Sequence, residues 1–192
     1  DVTVSEGEVT AQASLITKEE AADVEKDQAV LSVIEEVQAA NEEITSTVVG
    51  KTAVELNGER QFVRSGETNM GNLVADSMRT KTEADVAITN GGGIRASIDE
   101  GEVTKGEVIT VLPFGNTTIV KKLTGAQLLD AVEHGLSQYP ALEGLFPQVS
   151  GMQIIFDGDR PAGERVISLK VNGEPVDHDA VYEVATNDFM AA

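Results

Sequence analysis

The stretch Ala84-Asp85-Val86-Ala87-Ile88-Thr89-Asn90-Gly91-Gly92-Gly93-Ile94-Arg95 decides how this chain folds. Ala84 to Thr89 reads as a short strand of the buried type, and Asn90 with three glycines then breaks it. Three residues without side chains let a ligand approach the backbone N–H groups. Those groups and Arg95 together suit an anion. The same residues also suit a plain tight loop with a surface arginine, and composition does not separate the two. The loop is not a dinucleotide fingerprint, because the G-x-G-x-x-G spacing is missing and no helix clearly opens on it.

Upstream, Arg64-Ser65-Gly66-Glu67-Thr68-Asn69-Met70-Gly71-Asn72 leads into a helix over 69–81, capped by Thr68 or Asn69, with Leu73, Val74 and Met78 inward. Arg64 is either a solvated residue before the cap or faces the same ligand as Arg95. Downstream, a short helix over 105–112 and a strand over 116–123 flank Leu112-Pro113-Phe114-Gly115-Asn116. A phenylalanine there is either a core plug or a stacking platform for a base. Thr124-Gly125-Ala126-Gln127 is a capping box that opens a helix to about Ser137, with Leu128, Leu129, Val132 and Leu136 inward. The last third is β, with strands over 153–156, 166–171 and 182–186. Asn172-Gly173 predicts a hairpin between the last two. Asn187-Asp188-Phe189 ends the final strand, where chain-terminal packing is the bland reading. Mixed helices, strands and hairpins imply an α/β (α+β mixed) domain on a mixed sheet rather than a doubly wound parallel one.

The first 60 residues differ from the rest. They carry 14 acidic and 4 basic residues and no aromatic. Val2 to Ile16 alternates weakly and predicts one strand. Asp27 caps a predicted helix with an apolar stripe at Val30, Ile34, Val37 and Ala40, which needs a neighbour to pack on. Asn57-Gly58 predicts a turn between two short extended pieces.

Composition removes several function classes. The net charge of −19 repels nucleic-acid polymers and anionic membranes. No apolar run approaches a membrane span, and no basic-then-apolar leader opens the chain. Cysteine is absent, so disulfides and thiolate chemistry are excluded. The spacing of His134 and His178 does not build a metal cluster, and both read as structural or solvent-exposed. Serine-hydrolase, zincin and P-loop signatures are missing.

Singly these motifs are weak, but their order and spacing are specific. Arg64-x-x-x-x-Asn69-Met70-Gly71-Asn72-Leu73, Asn90-Gly91-Gly92-Gly93-Ile94-Arg95, Leu112-Pro113-Phe114-Gly115-Asn116, Leu123-Thr124-Gly125 and Thr186-Asn187-Asp188-Phe189 resemble the C-terminal domain of the 5'-nucleotidase / 2',3'-cyclic-nucleotide 2'-phosphodiesterase family. The resemblance covers residues 48–192. It implies a layered mixed β-sheet domain, with residues 1–47 as a connector that contributes an N-terminal helix.

In that family an N-terminal calcineurin-like domain holds two divalent metal ions and carries out the chemistry. The C-terminal domain supplies the nucleotide pocket and swings relative to the metal domain. The resemblance therefore implies no catalytic residue, metal ligand or cofactor in this chain, which is expected to be inactive alone. Phe114 and Phe189 are the implied base-stacking rings. Arg64 and Arg95 are the implied contacts to phosphate and ribose, and Asn90, Gly92 and Gly93 line base and ribose. The implied partners are a nucleotide or nucleotide-sugar substrate and the chain's own metallophosphatase domain. The implied location is extracellular, periplasmic or at the cell surface. The family usually continues past the position of Ala191-Ala192 into Gly-Gly-Asp-Gly and an apolar strand, so the domain is expected to be C-terminally truncated, with fraying near Phe189. A stand-alone ligand- or protein-binding module without catalysis is the alternative. Metal motifs of the Asp-x-His and Gly-Asn-His-Glu type ahead of Asp1 would favour the hydrolase.

Overall fold

The computed structural model describes every residue except Asp1, Glu6, Gly7, Gln12 and Asp23. The chain forms two units, Asp1–Glu43 and Ile44–Ala192.

In the first unit, strands β1 (Val2–Ser5) and β2 (Glu8–Ala11) pair antiparallel, with Val2 opposite Ala11 and Ser5 opposite Glu8. The single strand expected over 2–16 is thus a hairpin, because a strand alone leaves its backbone donors and acceptors unpaired. Helix α1 (Lys18–Ala22) follows, then α2 (Gln28–Thr45), which runs across the boundary between the units. Asp27 Oδ1 accepts from the N–H groups of Ala29 and Val30 at 2.8 and 3.2 Å, the expected cap. No residue of α2 is buried, and its apolar stripe stays exposed.

The second unit contains β3 (Val48–Thr52), α3 (Arg60–Val63), α4 (Asn69–Thr82), β4 (Val86–Asn90), a 3₁₀ turn (Gly91–Gly93), β5 (Gly101–Thr104) and α5 (Lys105–Val111). It continues with β6 (Thr118–Thr124), α6 (Gly125–Leu136), β7 (Pro147–Ser150), β8 (Met152–Phe156), β9 (Val166–Val171), β10 (Glu174–Pro175), β11 (Val181–Asn187) and α7 (Asp188–Ala191). The central sheet runs β6-β11-β4-β7, with β11 and β4 parallel and the outer pairs antiparallel. A three-stranded sheet, β10-β9-β8, and a two-stranded sheet, β3-β5, accompany it. This is the mixed-sheet α/β architecture the sequence implies.

Side-chain alternation splits the core between the two faces of the central sheet. Val86, Ile88 and Val184 join Leu128, Val132 and Leu136 of α6, together with Met152 and Leu169. Ala87 and Ala185, pointing the other way, join Met70, Val74, Ala75 and Met78 of α4. Alanine on that face lets α4 lie close. Gly71 brings it closer still, since a Cβ there would come within 2.0 Å of Gln148 Oε1. Thr68 and Thr124 cap α4 and α6 as expected, each accepting from an N–H three residues on.

Three local expectations change. Leu73, expected inward, is 49% exposed. The buried stripe of α4 is Met70, Gly71, Val74, Ala75 and Met78, and Leu73 lies about 100° around the helix from Val74. Asn172 and Gly173, both at positive φ, do form a hairpin turn, but it joins β9 to β10 rather than to β11. Pro175 offers no N–H to extend that ladder, and β11 inserts between β6 and β4 instead. Asn57-Gly58 leads from the Leu56–Ile98 bridge into α3, not between two extended pieces. Glycine is required at 58 because a Cβ would meet the Ala96 carbonyl oxygen at 1.9 Å. Strand β7, which the sequence did not announce, begins on proline at the sheet edge, where a missing N–H is tolerated.

Candidate functional site

Strands β4 and β11 are the parallel pair of the central sheet, so both end at one edge. In open α/β sheets ligands bind in the crevice outside the carboxyl ends of strands. Asn187, the last residue of β11, ties those ends together. Its Nδ2 donates to Thr89 Oγ1 and to Asn90 Oδ1, each at 3.2 Å. Its Oδ1 accepts from Met190 N at 2.8 Å and caps α7.

A cleft of about 600 Å³ opens at this edge. Arg64, Asn90, Gly92, Gly93, Phe114 and Phe189 all line it. Residues far apart in sequence therefore meet because β4, β11 and the loops before α4 and β6 converge. Phe114 is 62% exposed and Phe189 72% exposed, so neither is a core plug. The aromatic core is elsewhere, where Tyr139, Phe146 and Phe156 pack with centroids 5.1–6.3 Å apart.

Arg95 does not line the cleft. Its guanidinium carbon lies 5.8 Å from the Phe114 ring centroid, and its Nη1 donates to the Gly92 carbonyl at 3.4 Å. Backbone contact places it there, because Arg95 N donates to the carbonyl of Val111 at 2.9 Å.

The three glycines have different tasks. The N–H of Gly91 donates to Phe146 O and that of Gly92 to Gly144 O, at 2.8 and 2.9 Å. These two groups are spent on the protein and are not offered to a ligand, contrary to the expectation for the loop backbone. A Cβ at Gly91 would meet Val63 O at 1.9 Å, and one at Gly92 would meet Gly144 Cα at 2.7 Å. Both glycines let the 144–146 segment close on the loop. At Gly93 a Cβ would touch only the Asn90 amide, at 3.4 Å.

Arg64 follows α3 and is held by buried Gln148, whose Nε2 donates to the carbonyls of Val63 and Gly66 at 3.0 and 2.7 Å. Only 7% of Arg64 is exposed. Its Nη1 donates to Leu142 O at 3.2 Å, an acceptor shared with Arg60 Nη2 at 3.1 Å. Its buried Nε has no partner among the described residues. Burial lowers its pKa first, and the neighbouring charges of Arg60 and Arg95 lower it further, with Glu143 opposing. Three guanidiniums thus gather in a chain of net charge −19. A buried cation with an unused donor costs free energy that an incoming anion offsets.

Sequence reasoning left out Asn116, His134, Gly144, Leu145 and Met190, which also line the cleft. Asn116 closes the Leu112-Pro113-Phe114-Gly115-Asn116 motif, whose reading turns on Phe114 alone. His134 is exposed, as expected, but stands on the cleft wall. The signal for it was a helical face: Ala131, His134 and Gly135 have i, i+3, i+4 spacing on α6. Among the described residues no group of three His, Asp or Glu side chains gathers as a metal site. No described helix is long and apolar enough to cross a membrane.

The sequence profile of the 5'-nucleotidase C-terminal domain matches residues 48–192. The chain is 47% identical over 160 residues to the trifunctional nucleotide phosphoesterase protein YfkN of Bacillus subtilis, covering 79% of this chain and 11% of that protein. It is 37% identical over 164 residues to human 5'-nucleotidase, covering 74% of this chain and 29% of that enzyme. A crystal structure of a 5'-nucleotidase precursor from Thermus thermophilus superposes with a TM-score of 0.82 at 40% identity, over 99% of this chain and 39% of that one. The chain thus spans well under half the length of each of these relatives. The chain belongs to the 5'-nucleotidase family and carries its C-terminal domain over residues 48–192.

Proposed function

We propose that residues 48–192 bind the substrate of a two-domain nucleotide phosphohydrolase. The observation that supports this best is the pair of exposed rings, Phe114 and Phe189, on one cleft with the buried, under-satisfied Arg64. A base stacked on such rings gains about 1–3 kcal/mol, and any base has a π-face to offer. Arg64 suits the phosphate because its planar fork donates in pairs and stays charged. Arg95 adds positive charge behind Phe114, and Asn90, Gly92 and Gly93 line the space for base and ribose. The substrate is a nucleotide or nucleotide sugar. Attack on phosphorus belongs to a separate metallophosphatase domain with two divalent metal ions, so the 192 residues alone bind and do not hydrolyse. Location outside the cytoplasm fits relatives named as snake venom 5'-nucleotidases.

The test is binding. Amide NMR shifts of the chain are followed on titration with AMP and with ribose 5-phosphate. Phe114→Ala should weaken AMP roughly fivefold or more and leave the baseless ester unchanged, while Phe114→Trp retains AMP. Equal loss for both ligands, or no loss for either, rejects the stacking role.

A further inference from the structure

Neither ring of the cleft is held by the core, yet a base sandwich needs a set gap between them. Phe114 lies on the loop between α5 and β6, beside Gly115 at φ +65°. Phe189 lies on the single turn of α7. Strand pairing reaches only to Asn187 opposite Thr118, so it stops short of both rings.

Beyond that point the two loops are joined at Asp188. Its Oδ1 accepts from Asn116 Nδ2 at 2.7 Å and from Phe189 N at 3.0 Å. Its Oδ2 accepts from Thr117 Oγ1 at 3.0 Å, and its N–H donates to Thr117 O at 3.0 Å. One carboxylate oxygen thus links the residue two places after Phe114 to the backbone of Phe189. An ionised acceptor makes such bonds short and strong.

We propose that Asp188 is a positioning residue that clamps the Phe114 loop to the Phe189 turn and so sets the gap between the two rings. It acts through Asn116, Thr117 and the Phe189 backbone. The inference rests on the reading of the cleft as a base-binding site. The clamp has a direct consequence for recognition: its loss frees the rings, and ordering them again on binding costs affinity for ligands with a base, not for a bare sugar phosphate.

The experiment compares Asp188→Ala, Asp188→Asn and Thr117→Val in the full chain, by NMR titration with AMP and ribose 5-phosphate. Asp188→Ala should weaken AMP about three- to tenfold and leave ribose 5-phosphate unchanged. Asp188→Asn keeps an oxygen for Asn116 and Phe189 N, and its amide donates to Thr117 Oγ1, so it should bind AMP like the parent. Adding Asp188→Ala to Phe114→Ala should bring no further loss, since one ring leaves no gap to set. If Asp188→Ala does not fold, Thr117→Val carries the test with a smaller loss of the same selectivity. AMP binding unchanged in both Asp188→Ala and Thr117→Val, or equal loss for both ligands, overturns the clamp alone, provided that Phe114→Ala still weakens AMP selectively. If Phe114→Ala has no effect on AMP, or the parent chain does not bind it, the base-binding reading fails and the clamp with it.

Discussion

The guanidinium of Arg95 lies over the ring of Phe114, 5.8 Å from its centroid. Phe114 lines the cleft and Arg95 does not, so the cation backs a ring that the cleft presents. The contact joins the glycine loop to the loop before β6, and with them the charged and stacking parts of the site.

Arg95→Ala should therefore affect binding far more than folding. The side chain is exposed, and substitutions at such positions stay within about 0.5 kcal/mol of stability. Its charge also adds to that of Arg64, whose pKa it helps depress. We expect a melting temperature within about 2 °C of the parent and roughly two- to fivefold weaker AMP binding, because the lost cation backs Phe114 from outside the cleft, a contact worth about 0.5–1 kcal/mol at an exposed site. Arg95→Lys should recover part of the loss, since a lysine keeps the charge but not the planar fork. Calorimetric melting and NMR titration decide it; a large stability loss with unchanged binding would make Arg95 a structural residue.

Two neighbouring glycines should respond in opposite ways. Gly91→Ala drives a methyl into the backbone carbonyl of Val63, and backbone has little room to give. Overpacking of this kind costs about 1–3 kcal/mol or more, which lowers the melting temperature of a domain this size by at least about 2–4 °C. Gly93→Ala meets only the Asn90 amide at ordinary contact distance, so the fold should tolerate it. Differential scanning calorimetry of the two variants separates them. Equal melting temperatures would contradict the close approach of the loop to the Arg64 segment.

Asp188 should titrate below the ordinary aspartate value of 3.8. The hydrogen bond from Asn116 is the largest cause, with those from Thr117 next, and each favours the ionised form. A depressed folded-state pKa contributes stability that is present above the unfolded-state value and lost as pH falls through the folded-state value. The carboxylate is thus ionised at neutral pH and takes up its proton only in acid below 3.8. Carbon-detected NMR titration of the carboxyl reads the midpoint directly. A midpoint above 3.8 is incompatible with these bonds.

The legible parts of the sequence were those set by local chemistry. The caps at Asp27, Thr68 and Thr124 need only a side chain and an N–H two or three residues on. Strand β4 and helix α6 follow from periodicity within single segments. The α/β class was readable because the motifs stand in a specific order, and of the seven candidate residues six line one cleft while Arg95 stands outside it.

Tertiary structure decided whatever depends on partners distant along the chain. It set which face of α4 is buried, because Gly71 and Gln148 meet, and so left Leu73 outside. It sent β11 between β6 and β4 rather than into the Asn172-Gly173 hairpin. It spent the Gly91 and Gly92 N–H groups on the 144–146 segment, brought His134 to the cleft wall, and joined Asp188 to Asn116 across 72 residues. A residue's type and neighbours state which bonds it can make; only the fold states which partner is within reach.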